Sequence, residues 1–365
     1  MTDTAHIQHA LFELLRAGLW GQPSAALSRL SLTDEEWSLL FRTCCRQTVV
    51  GLVWQGMQFL SDAQLPPPAN LVRWAAALDA VERKNRRTDN ALAGLSALFS
   101  RESLHPVLQK GQGVAQFYRR PSWRESGDID LYFSTPAAFA AATSLVRRSG
   151  ADVVFRADGS AFYVWQGIEV EHHVRLVDLN NPFAYRDLLK MERTFGFRPF
   201  VLGDGRPLCM EVPSPMLNLL LLNAHILKHA VGWGVGLRQL CDMARACWVL
   251  HGETDPGAMR WICRRMGIGR WTRLLHTFLV ACLGLPTACL PYADTCATAQ
   301  PLLDLVLRSG NFGFSRARRH GSGLPVWRRK LYTSHSFVRN VGFSLRYAPG
   351  ETFWICTRLV KGQFR

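Results

Sequence analysis

Apolar residues recur at helical spacing from the start of the chain, where Leu11, Leu14, Leu15 and Leu19 share one face. Thr33, followed three positions later by Glu36 and then by Trp37, Leu39, Leu40 and Phe41, predicts a second helix with a capping box. Pro66 to Pro68 break the chain, and Leu71 to Ser100 predicts one long helix with a charged middle, Glu82 to Arg87. At Pro106 the period changes. Val107 and Leu108 read as a short buried strand ending at Lys110-Gly111, Gly113 to Tyr118 as a helix start, and Asp128 to Phe133 as a strand. Thr135-Pro136 opens a helix, Ala137 to Arg148, that closes at Gly150. Val153 to Arg156 and Ala161 to Trp165 predict a hairpin around Asp158-Gly159. Ile168 to Leu176 alternates, with Ile168, Val170, His172, Val174 and Leu176 on one face and Glu169, Glu171, His173 and Arg175 on the other. From Met216 the pattern is helical through His225 and His229, breaks at Gly232 to Gly236, and resumes over Leu237 to Leu250; residues 258–283 suit another helix.

The expected fold is α+β. A helical region over 1–105 precedes an α/β unit with a mixed sheet over 106–212, a second helical region covers 213–310, and a basic, aromatic tail covers 311–365. At 365 residues and 48% apolar, the chain can bury a large core. Its 43 basic and 28 acidic residues give a net charge of +15, which suits a polyanionic partner or substrate. The ten cysteines include no Cys-x-x-Cys pair, which argues against a zinc knuckle or a redox dithiol. Cys282, Cys289 and Cys296 recur every seven residues, but Pro286 and Pro291 interrupt that stretch, and buried thiols are expected. The first residues are polar, and the apolar stretch Met216 to Leu222, interrupted by Asn218, is far short of a membrane span. The expectation is a soluble, cytoplasmic protein with no membrane span.

Asp128 and Asp130 are the residues that suggest chemistry. Two apart on a strand, they aim their carboxylates from one face while Ile129, Leu131 and Phe133 enter the core on the other. Rigid, adjacent carboxylates suit a divalent metal, Mg²⁺ or Mn²⁺, of the kind that accompanies phosphates. Glu171 is the candidate third carboxylate, with Glu169 on the same face as the alternate. Gly111 and Gly113 would let backbone amides approach phosphates, and Lys110 and Arg124 would neutralise them. His173 would touch the nucleotide or an incoming hydroxyl, or else serve as a hydrogen-bonded strand histidine. The order of turn, acidic strand, hairpin and second acidic strand suits phosphoryl or nucleotidyl transfer from a nucleoside triphosphate.

Gln109-Lys110-Gly111, Tyr118 with Pro121, Arg124, Gly127-Asp128-Ile129-Asp130-Leu131, and Glu171 with His173 resemble the bacterial uncharacterised nucleotidyltransferases of the DNA polymerase β-like superfamily. The Glu36-Trp37 segment is similar to that group's leading helices, and His225, His229, Leu237-Arg238 and Asp242 to its helical C-terminal region. The resemblance implies two-metal transfer of a nucleoside monophosphate from a nucleoside triphosphate to a hydroxyl, with release of pyrophosphate and with Asp128, Asp130 and Glu171 as catalytic metal ligands. Lys110, Gly111, Gly113, Arg124 and His173 would bind nucleotide. Two departures stand out: Gly111-Gln112 replaces the commoner Gly-Ser turn, and Glu171 stands where Asp is frequent.

Other readings stay open. The acceptor is a small molecule, a protein side chain as in toxin-type enzymes, or an RNA end; a non-catalytic nucleotide- or nucleic-acid-binding module is the alternative. Ser315 to His320 and Trp327 to Lys330 could grip a nucleic acid backbone. His225 and His229 share a helix face and suit a structural or substrate-lining role better than zinc, and Arg238 and Asp242, four apart, fit a pair along a helix.

Overall fold

The computed structural model describes residues 4–309 and 340–363, apart from 157, 178 and 233, and shows helices around one mixed sheet. Leu11, Leu14, Leu15 and Leu19 all lie buried along α1 (Thr4–Trp20). The capping box opens α2 (Asp34–Gln47): Thr33 Oγ1 accepts the Glu36 amide at 3.3 Å, and the Glu36 carboxylate accepts the Thr33 amide at 2.9 Å. In α3 (Val50–Met57), Gly51 permits contact with the loop that leads to Asp128. A Cβ there would lie 2.0 Å from the Trp123 carbonyl oxygen. The long helix α4 spans Pro68–Ser100, with proline at its first turn, where a missing N–H costs nothing.

Seven strands form the sheet: β1 (Val107–Leu108), β2 (Ile129–Tyr132), β3 (Val154–Phe155), β4 (Ala161–Trp165), β5 (Ile168–His173), β6 (Phe197–Val201) and β7 (Pro207–Pro213). They lie in the order β3-β4-β5-β2-β1-β7-β6. β2 with β5 and β1 with β7 pair parallel, and the other neighbours antiparallel. Ala91, Leu92, Leu95 and Phe99 of α4 and Ala142 and Val146 of α6 (Pro136–Arg148) share one core with Ile129, Leu131, Phe133 and Val170. The opposite face meets α7 (Pro182–Phe195) and α8 (Pro215–Val231); there Tyr132 donates its hydroxyl to Glu192 at 2.7 Å. The two helical regions share a core, in which Leu14 and Trp37 join Leu217, Leu220, Leu240 and Trp271. This face of the sheet is thus roofed by helices from later in the chain.

Several elements differ from the sequence pattern. The helix expected from Gly113 is a single turn, α5 (Gln112–Ala115). β5 stops at His173, so Val174 leaves the alternation and is exposed. Residues 258–283 divide into α10 (Pro256–Arg265) and α11 (Gly269–Ala281) at Gly267, whose φ of 74° ends the first helix. α9 spans Leu237–Leu250 as expected. Cys289 is buried, whereas Cys282 and Cys296 are half-buried; all three are free thiols. Residues 340–347 and Pro349–Gln363 are helical, and Glu351 accepts the Asn180 and Asn181 amides at 2.6 and 3.3 Å. The proposed nucleic-acid grip, 315–330, lies outside the described residues. Among the described residues no helix is long and apolar enough to cross a membrane.

His276, fully buried in α11, donates from Nδ1 to the Asp294 carbonyl at 3.1 Å. Burial pulls its pKa from 6.5 to about 4, against the pull of that carbonyl. The folded state therefore refuses a proton that the unfolded chain takes up below pH 6.5. The stabilisation is full above that pH and is lost as pH falls towards 4, at about 1.4 kcal/mol per pH unit. His276→Gln is expected to remove this part of the acid sensitivity. Urea unfolding at pH 7.5 and pH 5 checks it; an unchanged gap between variant and wild type at the two pH values would contradict it.

Candidate active site

The parallel register of β2 and β5 sets Asp130 beside Glu171 and Tyr132 beside His173. Asp130 is buried, with Oδ1 at 2.8 Å from His173 Nε2 and Oδ2 at 2.9 Å from Lys110 Nζ. His173 Nε2 also lies 3.7 Å from Glu171 Oε2, so the imidazole bridges the two carboxylates. Glu171 is ion-paired on its other oxygen with Arg156. Burial alone would raise the Asp130 pKa, but the Lys110 and His173 charges and hydrogen bonds hold it well below the usual carboxylate range. Glu171 moves the other way: burial and then the Asp130 charge raise it, and Arg156 only partly offsets them. One carboxylate is thus held ionised while its neighbour accepts a proton more readily.

Asp128 arrives by a different route. It precedes β2 at the end of a strap, residues 120–127, that α4 holds from behind. Asn85 Nδ2 donates to the Ser122 and Arg124 carbonyls at 2.7 and 2.9 Å, and Lys84 Nζ to the Ser126 carbonyl at 2.8 Å. Trp123 Nε1 donates to Glu82 at 2.5 Å. The charged middle of α4 is therefore the anchor of this strap. Asn85→Leu strands two buried carbonyls and is expected to cost about 2 kcal/mol in urea unfolding. A loss below about 0.5 kcal/mol would mean that the strap holds itself.

Two adjoining cavities open on the carboxylates. The larger, about 210 Å³, is lined by Gln109, Lys110, Asp128, Asp130, Asp158, Ser160, Glu171, His173, Arg175, His225, Lys228 and His229, among others. The smaller, about 40 Å³, is lined by Lys110, Gly111, Arg124, Gly127, Asp128, Asp130, His225, Arg238, Gln239 and Asp242, with Leu222 and Ile226. Gln109 fixes the floor by donating to the Arg175 and Leu176 carbonyls at 2.8 and 3.1 Å.

Most of the expected residues converge here. Asp128, Asp130, Glu171, Lys110, Gly111, Arg124 and His173 all reach the cavities, while exposed Glu169 pairs with Val164 further back and reaches neither. The tightest group is Asp130, Glu171 and His173, whose donor atoms lie within 4.8 Å of one another. Gly113 lines neither cavity: its amide donates to the Lys110 carbonyl at 3.1 Å, and a Cβ would meet Val212 at 3.0 Å, so its smallness serves packing. Lys110 binds Asp130 instead of reaching outward. Arg124 forms a two-pronged pair with Asp242, Nε and Nη2 each at 2.7 Å. Arg238, on the same helix, donates to the Glu125 carbonyl at 3.0 Å. Tyr118 adds a third bond to Asp242 at 2.7 Å. His225 and His229 stack edge to face with centroids 4.4 Å apart, and burial keeps both imidazoles neutral at ordinary pH.

The sequence gives no sign of the roles of Asn85, Gln109 and Arg156, because each acts through a contact distant in the chain. Arg238 was legible as a helix residue only; the cleft side of α9 emerges from the packing.

A family model described as uncharacterised nucleotidyltransferase matches residues 33–284. The chain belongs to this family. Membership makes nucleotidyl transfer its general activity class and a nucleotide its substrate. No curated protein and no solved structure matches the chain. The family match spans α2 to α11, including both carboxylate strands and the helices that roof them.

The donor set suits a hard divalent cation. Asp130 and Glu171 offer carboxylate oxygens, as Mg²⁺ and Mn²⁺ prefer, and the His173 nitrogen is better tolerated by Mn²⁺.

Proposed function

We propose that this nucleotidyltransferase moves a nucleoside monophosphate from a nucleoside triphosphate to a hydroxyl and releases pyrophosphate. The observation that carries the reading is the side-by-side placement of Asp130 and Glu171 on parallel strands, at the floor of a cavity bordered by Lys110 and Asp128. Asp130, Glu171 and Asp128 are the proposed metal ligands, with His173 beside them. Bound there, Mg²⁺ or Mn²⁺ would acidify the hydroxyl and neutralise charge on the departing pyrophosphate. Glu171, which lines the larger cavity beside Asp130, takes the hydroxyl proton. The acceptor oxygen forms a bond to the α-phosphorus as the bond from that phosphorus to the bridging oxygen breaks. Lys110, Gly111 and Arg124 flank the phosphates, Arg124 chiefly by fixing the strap to α9 through Asp242.

A binding-only reading draws support from the ion pairs Lys110–Asp130 and Arg156–Glu171, which occupy both carboxylates. Pyrophosphate release separates the two. The purified chain is incubated with each of the four ribonucleoside triphosphates, Mg²⁺ or Mn²⁺, and panels of small hydroxyl compounds, proteins and RNA. Nucleotidyl transfer predicts metal-dependent release with at least one acceptor. Nucleotide binding without release anywhere in the panel would favour the binding module.

A further inference from the structure

We propose that the outward face shared by α7 and α10 is a binding surface for RNA. The surface stands apart from the nucleotidyl-transfer reading; only the delivery of an RNA end to the carboxylates rests on it. α7 carries Arg186, Lys190 and Arg193, all exposed and on one side of the helix. They run along about 10 Å of helix, a row that an extended phosphate backbone can follow. α10 adds Trp261, Arg264 and Arg265, also exposed. Arg265 joins the two helices: its Nε and Nη2 donate to Asp187 of α7 at 2.5 and 3.2 Å, and its guanidinium lies 5.3 Å from the centre of the Trp261 ring. The hydrogen bond from Arg265, and then the charges of Arg265, Lys190 and Arg186, lower the Asp187 pKa, so the α7 cations stand close to this joint.

The charge on this face is one-sided. The two helices carry six cations against two carboxylates, Asp187 and Glu192. Glu192 is buried against Tyr132, and Asp187 is taken by Arg265. Of the cations, Arg260 turns aside to the Ala293 carbonyl at 2.8 Å. The side chains of Arg186, Lys190, Arg193 and Arg264 make no ion pair or hydrogen bond among the described residues. Trp261 leaves 57% of its surface in water. Arginines beside an exposed indole favour RNA over an acidic protein or a lipid surface. The guanidinium fork matches paired phosphate oxygens, and the ring offers a stacking face to an unpaired base. The face also begins at the reaction centre. Arg175, which lines the larger cavity, lies 4.3 Å from the centre of the Tyr185 ring, and Tyr185 immediately precedes Arg186 on α7. An RNA strand that follows α7 towards its N-terminal end reaches the rim of that cavity.

Fluorescence anisotropy of the full chain with a labelled single-stranded RNA of about 20 nucleotides, titrated over a range of salt, tests this. Phosphatidylserine vesicles and polyglutamate are the comparison probes, and circular dichroism checks folding. Joint replacement of Arg186→Gln, Lys190→Gln and Arg264→Gln is expected to weaken RNA binding about tenfold or more at about 0.1 M salt. It should also flatten the slope of log affinity against log salt by about 2. Trp261→Ala should weaken RNA binding about fivefold or more and leave that slope unchanged. Undiminished RNA binding in the joint variant would overturn the proposal, and a loss confined to vesicles or polyglutamate would assign the face to a lipid or protein partner instead. Equal losses on all three probes, with Trp261→Ala without effect, would show bulk charge attraction only and likewise overturn it. Pyrophosphate release measured alongside separates the two levels. A wild type that binds RNA through this face and releases no pyrophosphate with any acceptor removes the transfer reading and leaves the surface standing. Release on RNA that the joint variant retains in full, with its RNA binding undiminished, removes the surface and leaves transfer standing.

Discussion

Asp130→Asn is expected to lower metal-dependent pyrophosphate release by about 1,000-fold, equivalent to about 4 kcal/mol of transition-state stabilisation. The carboxylate at this position is held ionised by Lys110 and His173, and asparagine cannot supply the charge that a divalent cation needs. The fold should survive, because Lys110 retains the charges of Asp128 and Glu171 nearby. Glu171→Gln removes both a ligand and the proposed base and should cost about 100-fold or more. Glu169→Gln is the built-in control: its side chain is exposed and lies two residues back along β5, so activity should stay within about twofold of wild type. Steady-state pyrophosphate assays on the folded variants decide it. Equal losses at Glu169 and Glu171 would mean that the register of β5 does not select the third carboxylate.

The largest expected effect on stability lies at Asp242. Its carboxylate accepts Arg124 Nε and Nη2 and the Tyr118 hydroxyl, each at 2.7 Å, and all three residues are buried. Burial would lower the Arg124 pKa, but Asp242 more than restores it. Asp242→Ala leaves a guanidinium inside the protein without its counter-charge, and a broken buried pair costs about 3–5 kcal/mol. Arg124→Met combined with Asp242→Leu removes both charges and should recover much of that loss. Urea unfolding of the single and double variants measures the coupling. A single variant within about 1 kcal/mol of wild type would show that solvent reaches the pair.

Local pattern was enough for the strands of the candidate site. Alternation in β5 placed Glu171 and His173 on the face opposite Val170 and His172, and the buried side of β2 was visible in Ile129, Leu131 and Phe133. The choice between Glu169 and Glu171 was not legible, because it depends on the register between β2 and β5, which are about 40 residues apart with a helix and a hairpin between them. The helix and hairpin over Pro182–Pro213, for which no element was read from the sequence, line neither cavity. The two-pronged Arg124–Asp242 pair was not legible, because its members lie 118 residues apart and local spacing points only to Arg238. The same limit hid the anchoring of the strap by α4, since a charged helical stretch looks solvated until its partner is known.

The most direct test of the paired carboxylates is anomalous diffraction from crystals holding Mn²⁺ and a non-hydrolysable nucleoside triphosphate. Metal-dependent transfer predicts a manganese peak within about 2.5 Å of oxygens from both Asp130 and Glu171, with Lys110 displaced from Asp130. Triphosphate bound with manganese away from both carboxylates, and Lys110 still paired to Asp130, would contradict it.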